Sequence, residues 1–276
     1  MKKISGELPS VDIGQVWWFW FSSNAFDVDK RLRRLFRVLP QDPRCKFCNA
    51  PFRGIGGSIV QALFGKRRSD LNPRFCNMCE EASRKFPGGA EVEMSMLFAD
   101  VRGSTALSEK MSPSEFSRLI NRFYTETTKL INAEDGLVEK LAGDAVAAFW
   151  GAGFAGPDYI RRTLEAAMKI SAAMARYKIP VGIGVHSGVA YFGAMGTPDG
   201  LTDITAIGDE VNTAARLASK AAAGEIIVSE QVIQRTGIVG DSLESRSLEL
   251  KGIEKPVSVR VIHHTGPGQP IISTLT

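Results

Sequence analysis

No apolar run in this chain approaches the roughly 20 residues needed to cross a bilayer as a helix, so no membrane span is expected. The first residues also lack the charged, apolar and small-residue succession of a secretory signal. These absences lead to the expectation of a cytoplasmic protein. Histidine is scarce: His186, His263 and His264 are the three present, and none has ligand spacing to a cysteine. No metal role is expected of them. Cysteine disappears after Cys79, and no odd thiol is left over from the four present. The remaining composition is that of a folded chain, since 44% hydrophobic and 23% charged residues exclude wholesale disorder and supply a core.

Charge is unevenly spread. Residues 1–90 hold 16 Lys/Arg against 8 Asp/Glu, a balance of +8, and the remainder holds 18 against 22, a balance of −4. A basic front half suits nucleic acid or an anionic membrane. It also suits a solvated surface partly offset by metal-bound thiolates. The second reading is adopted, and no nucleic-acid partner is expected.

Four segments follow from the pattern. Residues 1–40 are aromatic and basic, 41–86 carry the cysteines, 91–263 alternate strand and helix signals, and 264–276 lack periodicity and are expected to be disordered. In the first segment, Val16 to Phe21 is an aromatic patch. Lys30 to Leu39 reads as a basic amphipathic helix with Leu32, Leu35, Phe36 and Leu39 on one face. Residues 16–39 could contact a membrane surface. The preferred reading is an aromatic anchor and a dimerising helix that covers apolar surface. Pro87-Gly88-Gly89 reads as a linker.

In the main segment, Met94 to Ala99 is a buried strand ending in Asp100. Ser112, Pro113 and Glu115 start a helix. Leu137–Leu141 and Ala145–Trp150 form a hairpin turned by Ala142-Gly143-Asp144. A helix over 157–177 is followed by strands over 181–186 and 189–194, joined across Ser187-Gly188, and by a strand over 204–207. A helix over 209–222 and strands over 225–228, 246–250 and 257–262 complete the segment. Strands outnumber helices and tight hairpins join them, which predicts an α+β fold with an antiparallel or mixed sheet.

Cys45/Cys48 and Cys76/Cys79 have the CxxC…CxxC form of a structural zinc site, with 27 residues between the pairs rather than the commoner 15–20. An iron–sulfur cluster or two redox pairs remain alternatives. Zinc is preferred, and its plain role is to fold a module too small for a sufficient core. A sharper reading makes the module a sensor of metal or redox state that gates dimerisation.

Asp100 closes a strand ahead of Gly103, Ser104 and Thr105, whose backbone N–H groups can approach phosphate oxygens. Asp144 lies at the hairpin tip. If that hairpin pairs beside the first strand, two carboxylates converge, as magnesium requires.

Phe98-Ala-Asp100-Val-Arg-Gly-Ser-Thr105, Glu139-Lys140-Leu-Ala-Gly143-Asp144, Thr205-Ala-Ile-Gly208-Asp209-Glu-Val-Asn212-Thr-Ala-Ala-Arg216 and Leu250-Lys251-Gly252 together resemble the class III adenylate/guanylate cyclase family. The likeness runs from about Glu91 to Ile262. It implies a ferredoxin-like cyclase core, a sheet with packed helices, preceded by the four-cysteine module. Asp100 and Asp144 would hold two Mg²⁺ or Mn²⁺ ions. Asn212 would orient the ribose, Arg216 would stabilise charge on the α-phosphate, and Lys251 would neutralise the terminal phosphates. Lys140 and Thr205 would read the base. A lysine with a threonine partner implies ATP and the threonine subclass, some members of which respond to bicarbonate. The resemblance also implies a homodimer, with the aspartates from one subunit and Lys140, Thr205, Asn212, Arg216 and Lys251 from its partner. Two rivals stand: a guanylate cyclase, and a zinc-ribbon nucleic-acid binder with an inactive cyclase-like dimerisation domain.

Overall fold

The computed structural model describes residues 12–22, 27–40, 43–197, 202–238, 243–253 and 255–263. Of the segments anticipated above, the tail 264–276 and residues 1–11 lie outside the described residues.

The scaffold is one mixed eight-stranded sheet, in the order β2-β3-β1-β4-β6-β8-β7, with β5 also paired to β4. The strands are β1 (Gly88–Val101), β2 (Leu137–Ala142), β3 (Ala145–Trp150), β4 (Val181–Gly196), β5 (Thr202–Ile207), β6 (Glu225–Ser229), β7 (Glu244–Leu248) and β8 (Val257–His263). β4 and β6 are parallel, and the other pairs are antiparallel. The fold is α+β, as the sequence predicts.

Strand alternation decides which face each residue of β1 serves. Leu97, Ala99 and Val101 enter the core under α6 (Pro113–Ala133) and α8 (Tyr159–Tyr177). Val92, Met94 and Met96 point to the other face, against the N-terminal segment, β5 and α9 (Asp209–Lys220). Asp100 shares that second parity. α6 begins where expected: the Ser112 side chain accepts from the Glu115 N–H, and Glu115 closes the capping box.

Two expected breaks are continuous strand. β4 runs through Ser187-Gly188 without interruption. Gly88 and Gly89 open β1 instead of linking segments, opposite Ala194 and Gly193. The reason is close approach: a Cβ on Gly89 would lie 2.3 Å from the Phe192 carbonyl oxygen.

Helix α1 (Ile13–Ser22) packs on the sheet. Its Trp17 and Phe21 are fully buried against Phe192, and the Trp17 indole N–H donates to the Phe86 carbonyl at 2.9 Å. α2 (Asp27–Val38) buries Phe36 as expected, but Leu35 is 51% exposed while Arg33 is buried. The polar face explains the exchange. Arg33 donates to the Gly136 carbonyl at 2.5 Å and lies over the Phe154 ring, and Arg34 and Arg37 pair with Asp135. Burial holds the Arg33 guanidinium down to about 10. α3 (Gly54–Phe64) and α4 (Asn77–Lys85) carry the cysteine module. The short helices α5 (Ser104–Lys110), α7 (Ala152–Ala155) and α10 (Glu230–Thr236) are too brief to show a period in sequence. No helix among the described residues is long and apolar enough to cross a membrane.

Candidate active site and the four-cysteine cluster

Asp100 and Asp144 meet at one end of the sheet. Asp100 lies opposite Ala145 in the β1–β3 ladder, and the Val101 N–H donates to the Asp144 carbonyl at 3.0 Å. The hairpin tip is held from α6, where the Tyr124 hydroxyl donates to the Gly143 carbonyl at 2.7 Å. Gly103 and Gly143 have φ of +65° and +63°, and a Cβ on either would touch nothing within 4 Å. Torsion, not space, therefore demands glycine at both. Burial raises the Asp100 carboxyl, its ion pair with Arg102 pulls it down, and the Asp144 charge raises it further. Two hard carboxylates at one end of the sheet are a donor set that suits magnesium or manganese. Ser104 opens α5 immediately after Gly103, and Thr105 is exposed beside it.

Asn212 and Arg216 lie one turn apart on α9, the first exposed and the second half-buried. A Cβ on Gly252 would come within 3.4 Å of an Arg216 guanidinium nitrogen, so the arginine packs on the turn that carries exposed Lys251. Arg216 lines a cavity of about 600 Å³ with His186, Asp209, Glu210 and Lys255. The His186 ring hydrogen-bonds the Glu210 carboxylate there. The cation on Asp100 is Arg102, and Arg216 makes no ion pair among the described residues. One chain thus brings Arg216 to the Lys251 turn and brings Asp100 to Asp144. Arg102, the partner of Asp100, also donates to the Ser219 carbonyl of α9 at 3.1 Å.

Lys140 is exposed on β2 opposite Ala147, just past a register shift that gives Glu139 its own inward position. Glu139 is 5% exposed, and its carboxylate accepts from the Thr205 hydroxyl at 2.9 Å. Two cations of the cysteine module close around this pair. Lys46 Nζ lies 2.8 Å from Asp203 Oδ1, 2.8 Å from the Ile204 carbonyl and 3.9 Å from Glu139 Oε1. Arg74 reaches Asp203 Oδ2 at 2.7 Å and the Glu139 carbonyl at 2.5 Å. The sequence pattern assigns no individual role to Glu139, Lys46, Arg74, Asp203, Arg102 or Tyr124. Most of their contacts join residues far apart in the chain, which local spacing does not register.

The four cysteines converge. Their Sγ atoms all lie within 4.8 Å of one another, with Cys48 and Cys76 3.7 Å apart. Four thiolates about 2.3 Å from a single tetrahedral ion sit about 3.8 Å apart, so the cage has the size for one metal ion. The Cys76 N–H donates to Cys45 Sγ at 3.2 Å and the Cys79 N–H to Cys76 Sγ at 3.4 Å, which orients the sulfurs. Asn49 takes φ +60° to fold the first knuckle back, with its N–H on the Cys45 carbonyl. Hydrogen bonds from Cys45, Cys48 and Cys79 hold the Cys76 thiol far down, while burial pushes Cys45 up.

Residues 89–264 match the adenylate and guanylate cyclase catalytic domain family, to which the chain belongs. It is 29% identical over 185 residues to the adenylate cyclase of Anabaena cylindrica, covering 60% of this chain and 36% of that protein. The structure of the guanylyl cyclase Cya2 superposes with a TM-score of 0.58 at 23% identity, covering 65% of this chain and 96% of that one. The adenylyl cyclase CyaB from P. aeruginosa superposes with a TM-score of 0.56 at 24% identity, covering 65% and 98%. At these identities the two structures bear on the fold alone. The chain spans 31–38% of the length of the curated relatives it matches.

Proposed function

We propose that the chain is an adenylate cyclase, forming 3′,5′-cyclic AMP and pyrophosphate from ATP at sites shared across a homodimer. The observation that carries the choice of ATP is the hydrogen bond from Thr205 to Glu139. A threonine hydroxyl has one proton and two lone pairs. The buried Glu139 carboxylate takes the proton, so Thr205 presents only acceptors to a base. The adenine amino group is a donor and matches, whereas guanine offers the O6 acceptor at that edge and does not. Lys140, exposed on β2 beside Glu139, donates to adenine N1.

On this reading Asp100 and Asp144 hold two magnesium or manganese ions. When bound, such ions lower the pKa of the ribose 3′-hydroxyl and neutralise the triphosphate. Asn212 orients the ribose. Arg216 meets the charge that gathers on the α-phosphate as the 3′-oxygen attacks and pyrophosphate leaves. Lys251 and the backbone of Gly103, Ser104 and Thr105 cradle phosphate oxygens. Arg216 makes no ion pair with Asp100 or Asp144 among the described residues, which supports a second copy as the source of the arginine at each site. The cysteine cage fits zinc as a structural ion held by Cys45, Cys48, Cys76 and Cys79. In a four-iron, four-sulfide cluster each thiolate binds a different iron, which spreads the sulfurs further.

The test is turnover of ATP and GTP by the purified chain with Mg²⁺ or Mn²⁺. The proposal expects ATP to be preferred by at least about tenfold, the scale of one well-placed base contact. Preference for GTP would contradict it.

A further inference from the structure

We infer that the four-cysteine module is an intramolecular clamp on base recognition, with Lys46 and Arg74 as positioning residues that fix Glu139, Asp203 and, through them, the Thr205 hydroxyl. The inference rests on the proposed role of Thr205 in reading adenine.

Both cations belong to the cage by sequence and by backbone. Lys46 lies inside the first knuckle, Cys45-Lys46-Phe47-Cys48, and its N–H donates to the Arg74 carbonyl at 2.8 Å. Arg74 stands two residues before Cys76, whose N–H donates to Cys45 Sγ. The two pairs of cysteines are therefore stitched together at the positions from which the two cations project. Any ion that draws the four sulfurs together also sets the separation of Lys46 from Arg74.

The cations meet the cyclase domain at one place. Asp203 is gripped from both sides, Lys46 on Oδ1 and Arg74 on Oδ2. Each cation also bonds a backbone carbonyl flanking the base site: Lys46 that of Ile204, and Arg74 that of Glu139. The Lys46 side chain is only 4% exposed, so its charge is directed entirely to these partners. A third stitch is polar but uncharged, since the Asn72 amide donates to the Thr202 carbonyl at 2.9 Å. β5 thus has its start, Asp203 and Ile204 tied to the module, and Thr205 is the next residue. On β2, Glu139 is tied by its carbonyl and lies immediately before Lys140.

The consequence is chemical as well as geometric. Thr205 reads as an acceptor only while Glu139 takes its proton. A buried carboxylate keeps that orientation when a cation lies near it and its backbone is fixed. Releasing Lys46 or Arg74 frees Thr205 to rotate and donate, which weakens discrimination against guanine and loosens the adenine site. The module therefore acts on substrate affinity and base choice, and the aspartates at the far side of the site are left in place.

The experiment compares the full chain with Lys46→Met, Lys46→Arg, Asp203→Asn and Thr205→Ala. For each, KM and kcat are measured for ATP and GTP, metal content by elemental analysis, and hydrogen exchange over residues 202–207. The expected result is that Lys46→Met retains its metal, raises KM for ATP about tenfold or more with a smaller change in kcat, narrows the ATP/GTP ratio, and exchanges faster over β5. Asp203→Asn, made on the cyclase side of the contact, should reproduce these effects, and Lys46→Arg should restore most of the affinity. Unchanged ATP/GTP ratio and β5 exchange in both Lys46→Met and Asp203→Asn, with Thr205→Ala altering base choice, would overturn the clamp and leave the proposed function intact. If Thr205→Ala leaves base choice unchanged, the base-recognition reading fails and the clamp fails with it.

Discussion

The Val101 N–H donates to the carbonyl oxygen of Asp144 at 3.0 Å, and this ladder bond brings Asp100 and Asp144 to the same end of the sheet. Neither strand end could do so alone. Asp100 sits on a parity that faces away from the α6–α8 core, and the β2–β3 hairpin brings Asp144 alongside. Burial raises the Asp100 carboxyl, the Arg102 guanidinium opposes the rise, and the charge of Asp144 adds to it.

Asp144→Asn therefore has two opposite effects. It should lower turnover by at least about a hundredfold, the usual loss when a charge-stabilising group is removed. It should also leave the metal-free chain at least as heat-stable as before, because a like-charge repulsion is relieved. Turnover assays, and thermal melts without added Mg²⁺ or Mn²⁺, check both. A cyclase-active Asp144→Asn would remove this residue from the site.

Tyr124→Phe tests how the hairpin tip is held. The tyrosine donates to the Gly143 carbonyl from α6, and its loss should cost about 1 kcal/mol of stability. Because Gly143 precedes Asp144, the Mn²⁺ concentration for half-maximal turnover should rise several-fold. An unchanged metal requirement would mean that the tip needs no anchor.

Cys76→Ser should abolish the bound ion and lower the melting temperature by about 5 °C or more, as expected for a loss of more than about 1–2 kcal/mol in a chain of this size. Elemental analysis of the parent protein should give one zinc per chain. Iron with inorganic sulfide in its place would contradict the mononuclear assignment.

Glu225 supplies a pH test away from the site. The Arg246 guanidinium, bonded to both of its oxygens at 2.7 and 3.1 Å, holds its carboxyl below the ordinary range, and the Ala222 N–H adds to this. A depressed carboxylate contributes stability that is complete above its unfolded pKa and is lost as pH falls through its folded value. Glu225→Gln should be less stable at pH 7 by on the order of 1 kcal/mol, and the difference should narrow as pH falls below the ordinary glutamate pKa of about 4.3. Urea titrations at pH 7 and pH 3.5 measure it.

Most of the catalytic segment was legible because its signals are local. The capping box at Ser112 and Glu115, the Gly143-Asp144 turn and the spacing of Asn212 from Arg216 each fit within a few residues. The family motifs added order along the chain. The four cysteines were legible as two pairs, and their convergence into one cage followed. What stayed hidden depends on tertiary contact. Gly88 and Gly89 have the composition of a linker, yet they are strand residues: Phe192 and Gly193 approach Gly89 too closely for a side chain, and Gly88 takes φ +109°. Leu35 fits an apolar stripe, but Arg33 takes the inward place because the Gly136 carbonyl and the Phe154 ring satisfy it. Lys46 and Asp203 are 157 residues apart, and no periodicity announces their pairing.

The central claim is that one protomer's carboxylates work with its partner's arginine, and mixing two inactive variants tests it most directly. Asp100→Ala and Arg216→Ala are each expected to be inactive as homodimers. Mixed and allowed to exchange subunits, they should regain up to about a quarter of the parent activity, because half of the dimers are then heterodimers with one intact site of two. Mixtures that form heterodimers yet stay inactive would contradict the shared site, as would full activity in either variant alone.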